Sequence, residues 1–392
     1  MSRAVLVVVL LVATGTAIDV DLFGYYEPQY SGTYAAESYR QLMSNRLRVD
    51  LGSTVVSNVE VGADFIGLLH HGTLTWNLLD FVPAAVAESV PEMLRPLYAL
   101  PFGDRFYLGD AYARFALRRV ALTVGKQQLS FGTGYFANPT DVFNTKDALD
   151  PTYEQPGHNA VRLDVQPWNR VSFTGLLAPG SDWETTTRMV RAKAGFGRFD
   201  FSVTGAEYRR TMTDFTTVDT LTGWFPQSTA RRQMVGGEFV GQVWELGLWA
   251  EGACFLPGEG DGYYEVIAGL DHTLDCGLYL LAEYHRNSAA PADWRDYGLN
   301  DWLRSMLGET RTLARDQAYA LVRYQLTDLL GVGVMGIASA NDGSFAVVPM
   351  VDWNVFENVD LTLMVNAFIG EEGKAYGSTF GNGGFVRCRV WF

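Results

Sequence analysis

Cysteine is scarce in this chain, three residues in 392. An odd, scattered trio makes no disulfide framework. Histidine numbers only five, and neither HExxH nor GxSxG occurs. The signatures of zinc peptidases and serine hydrolases are therefore missing. Charge is also low, at 19% of residues, with 30 basic against 44 acidic side chains and no basic stripe. A net charge of −14 without such a stripe excludes a nucleic-acid binder. Beyond residue 17 no apolar run reaches the roughly 18 residues that a spanning helix needs. Mean hydropathy is +0.01, so the chain is neither disordered nor a helical membrane protein.

Glycine and aromatic residues are plentiful. Gly numbers 41 and aromatics reach 13%, with 19 Tyr and 10 Trp. Such a mixture at average hydropathy points to many strands joined by turns. The first residues read differently. Ser2-Arg3 precedes an apolar run, Ala4–Ala13, and then Gly15-Thr16-Ala17. A charged start, an apolar centre and a small-x-small site make residues 1–17 a signal peptide, with the mature chain starting near Ile18. The exported chain is then a soluble secreted protein or an outer-membrane barrel.

Periodicity separates these two. In Leu361–Ala367 the odd positions are apolar, and in Val161–Gln166 charges fill the even ones. Leu246, Leu248, Ala250 and Cys254 share one face, while Trp249 and Glu251 take the other. Eighteen segments alternate in this way, many over about ten residues, the length a tilted membrane strand needs. Connections after even-numbered segments are short, as at Gly52-Ser53, Arg118-Arg119 and Gly197-Arg198. Those after odd-numbered segments are mostly long: 67–104, 129–158, 211–231 and 287–314. Short turns at one end and long loops at the other are the barrel pattern. We expect an all-β transmembrane antiparallel barrel of about 18 strands (16–18), forming one domain over 18–392.

The last residues alternate too, with Val386, Cys388, Val390 and Phe392 on one face. A strand ending in Phe resembles the C-terminal signal of bacterial outer-membrane proteins, which implies recognition of Phe392 by the barrel-assembly machinery. A second resemblance surrounds the fifth strand. Val124-Gly125-Lys126-Gln127-Gln128 is followed by Phe131-Gly132-Thr133-Gly134, Asn138-Pro139-Thr140-Asp141 and Gly157-His158-Asn159-Ala160. Over about forty residues this resembles porin-like proteins related to the alginate-export family. The resemblance implies an eighteen-stranded outer-membrane channel. The strongly Arg-rich lumen of that family is not matched here.

With the apolar set toward lipid, inward residues can be assigned. Strands ten to thirteen contribute acids, among them Glu238, Glu245, Glu251, Glu265 and Glu283, and no inward Arg or Lys. The closing strand and strand two contribute Arg387, Arg389, Arg46 and Arg48. We expect these four arginines, with Glu251, Glu265 and Glu283, to line a pore as basic and acidic walls facing each other. The segment Trp76–Leu100 is too apolar for a solvated loop and is broken by Pro83, Pro91 and Pro96, with Pro101 just after it; it reads as short helices in the barrel mouth or on other loops. A further short helix is expected at Asp301–Leu307. Adjacent His70-His71 face opposite ways on a strand, and Asp141, Asn144, Asp147 and Asp150 lack EF-hand spacing, so no metal is assigned. Cys254 and Cys276 lie at opposite ends of neighbouring strands and should be free thiols.

The reading is a channel of the bacterial cell outer membrane for passive diffusion of small polar solutes, with no enzymatic activity and no cofactor. Its partners would be membrane lipids, lipopolysaccharide and the solutes. The other reading is a surface protein whose loops bind a ligand or host surface, with the barrel as anchor.

Overall fold

A computed structural model describes residues 20–146, 150, 154–258 and 261–392. The expected signal peptide lies outside the described residues. Eighteen long strands follow one another along the chain. They are β1 (Asp21–Ala35), β2 (Ser38–Val56), β3 (Val59–Gly72), β4 (Arg105–Leu117), β5 (Val120–Gln128) and β6 (Gly157–Trp168). Next come β7 (Val171–Ala178), β8 (Thr187–Phe196), β9 (Phe199–Thr213), β10 (Gln227–Val243), β11 (Leu246–Pro257) and β12 (Tyr263–Thr273). The last are β13 (Tyr279–Asn287), β14 (Asp316–Thr327), β15 (Leu330–Ser339), β16 (Phe345–Phe356), β17 (Val359–Ile369) and β18 (Asn382–Trp391). Each pairs antiparallel with its sequence neighbours, and β18 returns to β1 with Tyr25 opposite Trp391 and Tyr34 opposite Asn382. Phe392 completes the seam by exchanging backbone hydrogen bonds of 3.0 Å with Gly24. The sheet is a closed barrel without edges, which satisfies every strand's backbone within the wall.

Alternation does the sorting. Leu47, Phe65, Phe115, Leu163, Val203 and Val235 are exposed on the outer face, while Glu27, Asp64, Glu238 and Glu251 are buried inside. An outer surface this apolar needs hydrocarbon around it. Trp168, Phe196, Trp244 and Phe356 are exposed near the short-turn end, as an aromatic girdle requires. Most turns there hold two residues, and Arg118, Gly197, Trp244 and Asn358 adopt the positive φ that such tight hairpins demand.

Three expectations are corrected. The first short turn is Ser57-Asn58, not Gly52-Ser53; β2 runs on to Val56, and Gly52 sits in the ladder opposite Gly62. Glu245 is not an inward acid, because alternation stops at the two-residue turn Trp244-Glu245. Strands β10–β13 do carry an inward cation: Arg232 shares a face with buried Met234, its guanidinium 5.6 Å from the Tyr263 ring.

The long connections build a cap. An α-helix at Ala84–Glu88 and 3-10 turns at Leu78–Phe81 and Glu92–Tyr98 occupy the β3–β4 connection; a second α-helix, Leu299–Met306, occupies β13–β14. Leu79, Val82, Val90 and Tyr98 pack with Phe215, with Leu299, Trp302 and Leu303, and with Ala375 in one apolar core. These residues come from four hairpins rooted at β3/β4, β9/β10, β13/β14 and β17/β18, spread around the whole rim. Eighteen strands about 4.8 Å apart and tilted ~40° enclose a ring roughly 35 Å across. Loops from such separate points share a core only by folding over the mouth.

Candidate functional site

The site is the barrel interior crossed by the described residues of the β5–β6 connection, 129–146, 150 and 154–156. Its conformation is set locally. Asp141, 1% exposed, accepts backbone N–H bonds from Phe143 at 2.8 Å and Asn144 at 3.1 Å, and a longer one from Phe131 at 3.3 Å. Asn138 donates its amide to the Phe131 carbonyl at 2.8 Å. Gly132 has φ +94°, and a Cβ there would lie 2.6 Å from the Glu251 carboxylate. Only glycine fits that approach.

One side of this connection docks on β11 and β13 through its backbone. Glu283 accepts N–H bonds from Tyr135 at 2.7 Å, Phe136 at 2.8 Å and Ala137 at 3.3 Å, and from the Trp249 indole at 2.6 Å. Glu251 accepts from Thr133 at 2.8 Å and from the Thr140 N–H and hydroxyl at 2.5 and 2.8 Å. Both carboxylates are 3% exposed. Ions so deeply buried require partners, and here oriented peptide dipoles supply them. Glu265, on β12, is held differently: Arg311 of the β13–β14 connection spans both its oxygens at 3.0–3.1 Å and also donates to the Asp141 carbonyl. Burial pushes the Asp141 carboxyl upward, and the N–H groups around it offset that only in part.

The other side docks on β1, β2 and β18 through carboxylates. Glu154 lies 3.1 Å from Arg48, 3.6 Å from Arg389 and 3.8 Å from Arg46, and accepts the Tyr25 hydroxyl at 2.7 Å. Asp150 pairs with Arg387 at 2.7 Å. Glu27, 4% exposed, approaches Arg389 at 2.5 Å, and Asp64 meets Arg48 at 2.8 Å. Burial pushes the Glu154 carboxyl up, but the Tyr25 hydroxyl and the guanidiniums of Arg48, Arg46 and Arg389 outweigh it and leave it below the ordinary glutamate value.

The short-turn half of the interior is more open. Ion pairs Arg114–Glu60, Lys193–Asp200 and Arg323–Asp352 lie there at 2.8, 2.9 and 3.2 Å with side chains about a third to a half exposed. The interior is therefore wet at one end and filled toward the other by the described part of the β5–β6 connection, residues 129–146, 150 and 154–156.

The structure brings Arg46, Arg48, Arg387 and Arg389 together, and gathers Glu251, Glu265 and Glu283 on neighbouring strands. It does not leave them as bare opposing walls, since the connection covers each. Glu27, Glu154 and Arg311 were not singled out from sequence, although the Asn138-Pro139-Thr140-Asp141 motif marked the segment that organises them. Of the considered Ca²⁺ group, Asp141 is taken up by N–H groups, Asp150 by Arg387, and Asp147 lies outside the described residues. His70 bonds the Gly103 carbonyl at 3.1 Å while His71 is exposed on the opposite face. All three cysteines are free.

No family model matches the chain, and no curated protein matches it. Solved structures do. OccK2 (OpdF) of Pseudomonas aeruginosa, in complex with glucuronate, is similar at 7% identity over 95% of this chain and 96% of that one, with a TM-score of 0.59. OccK11 (OpdR) of the same organism is similar at 10% identity over 95% of each chain, TM-score 0.56. Its OpdL is similar at 12% identity over 95% and 98%, TM-score 0.56. These neighbours are outer-membrane porins, and the likeness is one of fold. The chain has the architecture of a bacterial outer-membrane porin barrel.

Proposed function

We propose that the protein is an outer-membrane channel for passive diffusion of small polar solutes. The observation that carries this reading is the contrast along the axis: an open, ion-lined half leads to a half narrowed by the described residues of the β5–β6 connection, 129–146, 150 and 154–156. Arg46, Arg48, Arg387, Arg389, Glu251, Glu265 and Glu283 border the path where it narrows. The motif spanning residues 124–160 supports a distant kinship with the alginate-export family, without its Arg-rich lumen. The strand ending in Phe392 supports delivery through the barrel-assembly machinery, and the apolar belt supports a place among lipids and lipopolysaccharide.

Purified protein in planar bilayers should give discrete conductance steps, and unheated samples should migrate apart from boiled ones on gels. Folded protein that passes no current would sink the channel reading. The shared apolar core of the cap favours one other reading, a surface-binding protein anchored by its barrel. Deleting residues 76–100 tests both. A channel lidded by the cap should conduct more after the deletion and stay assembled; a pure anchor should remain silent.

A further inference from the structure

Between the cap and the inserted connection lies a cavity of about 500 Å³. That size is within the range of small-molecule sites. Its walls differ in chemistry. One is aromatic, built by Phe136, Phe368, Tyr376 and Phe380, with Phe368 and Phe380 stacked at 5.2 Å between centroids. The other is polar and comes from β14 and the segment before it. Gln317 is 2% exposed and Thr312 7% exposed, and both line the cavity. The Gln317 Oε1 and the Thr312 hydroxyl find no hydrogen-bond partner among the described residues. Gln317 stands opposite His285 on β13 and Ser339 on β15, and the Ser339 hydroxyl is equally unpartnered among the described residues. A buried polar group left alone is costly, so a row of them marks a place built to meet something polar.

Charge narrows the choice. The cavity is bordered by two cations and, among the described residues, by no carboxylate. Arg311 is committed to Glu265, and Lys146 donates to the Gly134 carbonyl. Burial also pushes the Lys146 amine downward, weakening its hold on a proton. Neither a bare anion nor a cation finds a free counter-charge. A ring with an apolar C–H face and a hydroxylated edge matches both walls.

We propose that this cavity is a binding subsite for a neutral sugar of one or two rings, stacked on the aromatic wall and hydrogen-bonded by Gln317 and Thr312. The proposal rests on the channel reading for its purpose and on the cavity alone for its chemistry. Binding at such a station must be weak enough to release.

Calorimetry on the detergent-solubilised full chain, with glucose and maltose as probes, tests it. Millimolar binding of at least one is expected. Gln317→Leu and Thr312→Val should each weaken it about tenfold, the effect of one lost hydrogen bond, with the heat shift on gels unchanged. No heat with either sugar, equal affinity in both folded variants, or binding of acetate or arginine in place of sugar would overturn the proposal. Bilayer conductance without sugar is measured alongside. Sugar binding without current would sink the channel and leave the subsite; current without sugar binding would sink the subsite alone.

Discussion

The acidic wall on β11–β13 and the basic wall on β1, β2 and β18 are covered by the same connection, and the covering is not equivalent. At Glu251 and Glu283 the partners are peptide N–H groups and an indole, which carry no net charge. Those hydrogen bonds bring no counter-charge of their own. At Arg46, Arg48, Arg387 and Arg389 the partners are Glu27, Asp64, Asp150 and Glu154, which cancel it. Arg311 cancels Glu265, and Lys146 offsets part of Glu251 and Glu283, so the side near β11–β13 keeps only a small negative excess while the side across from it is close to neutral. An ion in the channel should sense the acids more than a count of charges implies, and a mild cation preference follows.

The largest effect should come from breaking the acidic side. Glu251→Ala with Glu283→Ala strands seven donors: five backbone N–H groups, the Thr140 hydroxyl and the Trp249 indole. Hydrogen bonds to a charge contribute about 1.5–3 kcal/mol each. Losing the set should undock residues 131–140 and raise single-channel conductance several-fold, while the barrel keeps its heat shift. Unchanged conductance in folded protein would mean that this segment does not narrow the path.

A smaller effect is expected from the basic side. Replacing Arg46, Arg48, Arg387 and Arg389 by Gln removes the cations and leaves Glu27, Asp64, Asp150 and Glu154 unopposed. Cation preference should strengthen, measured as the reversal potential across a salt gradient. A reversal potential equal to the parent's would show that these side chains do not border the ion path.

The strands were legible because alternation is a physical requirement of a wall with lipid on one side. Arg105–Leu117, Val120–Gln128 and Thr187–Phe196 could be read to the residue. Gly52-Ser53 misled because glycine and serine signal a turn wherever they occur, and only the facing strand reveals that Gly52 is paired. The gathering of Arg46, Arg48, Arg387 and Arg389 was also legible, since strand order alone makes β18 and β2 the neighbours of β1. Their neutralisation was not. Glu154 and Arg311 sit in irregular connections, where no periodicity says which way a side chain points. The backbone donors of Tyr135, Phe136 and Ala137 are identical in every sequence and leave no signature at all.

The smallest expected effect isolates the basic side's tether. Glu154 is held below the ordinary glutamate value of 4.5 by the Tyr25 hydroxyl and three arginines, against the opposing push of burial. A carboxylate depressed in the folded state adds stability that is present above its unfolded value and is lost as pH falls through the folded one. The tether should therefore hold unchanged from pH 7 down to near the unfolded value of 4.5, weaken progressively below it, and be spent once pH has passed the lower folded value. Glu154→Gln removes that step. At pH 7 the variant should conduct almost as the parent does, because Asp150–Arg387 and the bonds to Glu251 and Glu283 still hold the connection. The difference should appear on acidification, with parent conductance rising late and the variant lacking that component. If the variant already matches the acid-opened parent at neutral pH, Glu154 alone holds that end, and the basic wall is the weaker of the two anchors.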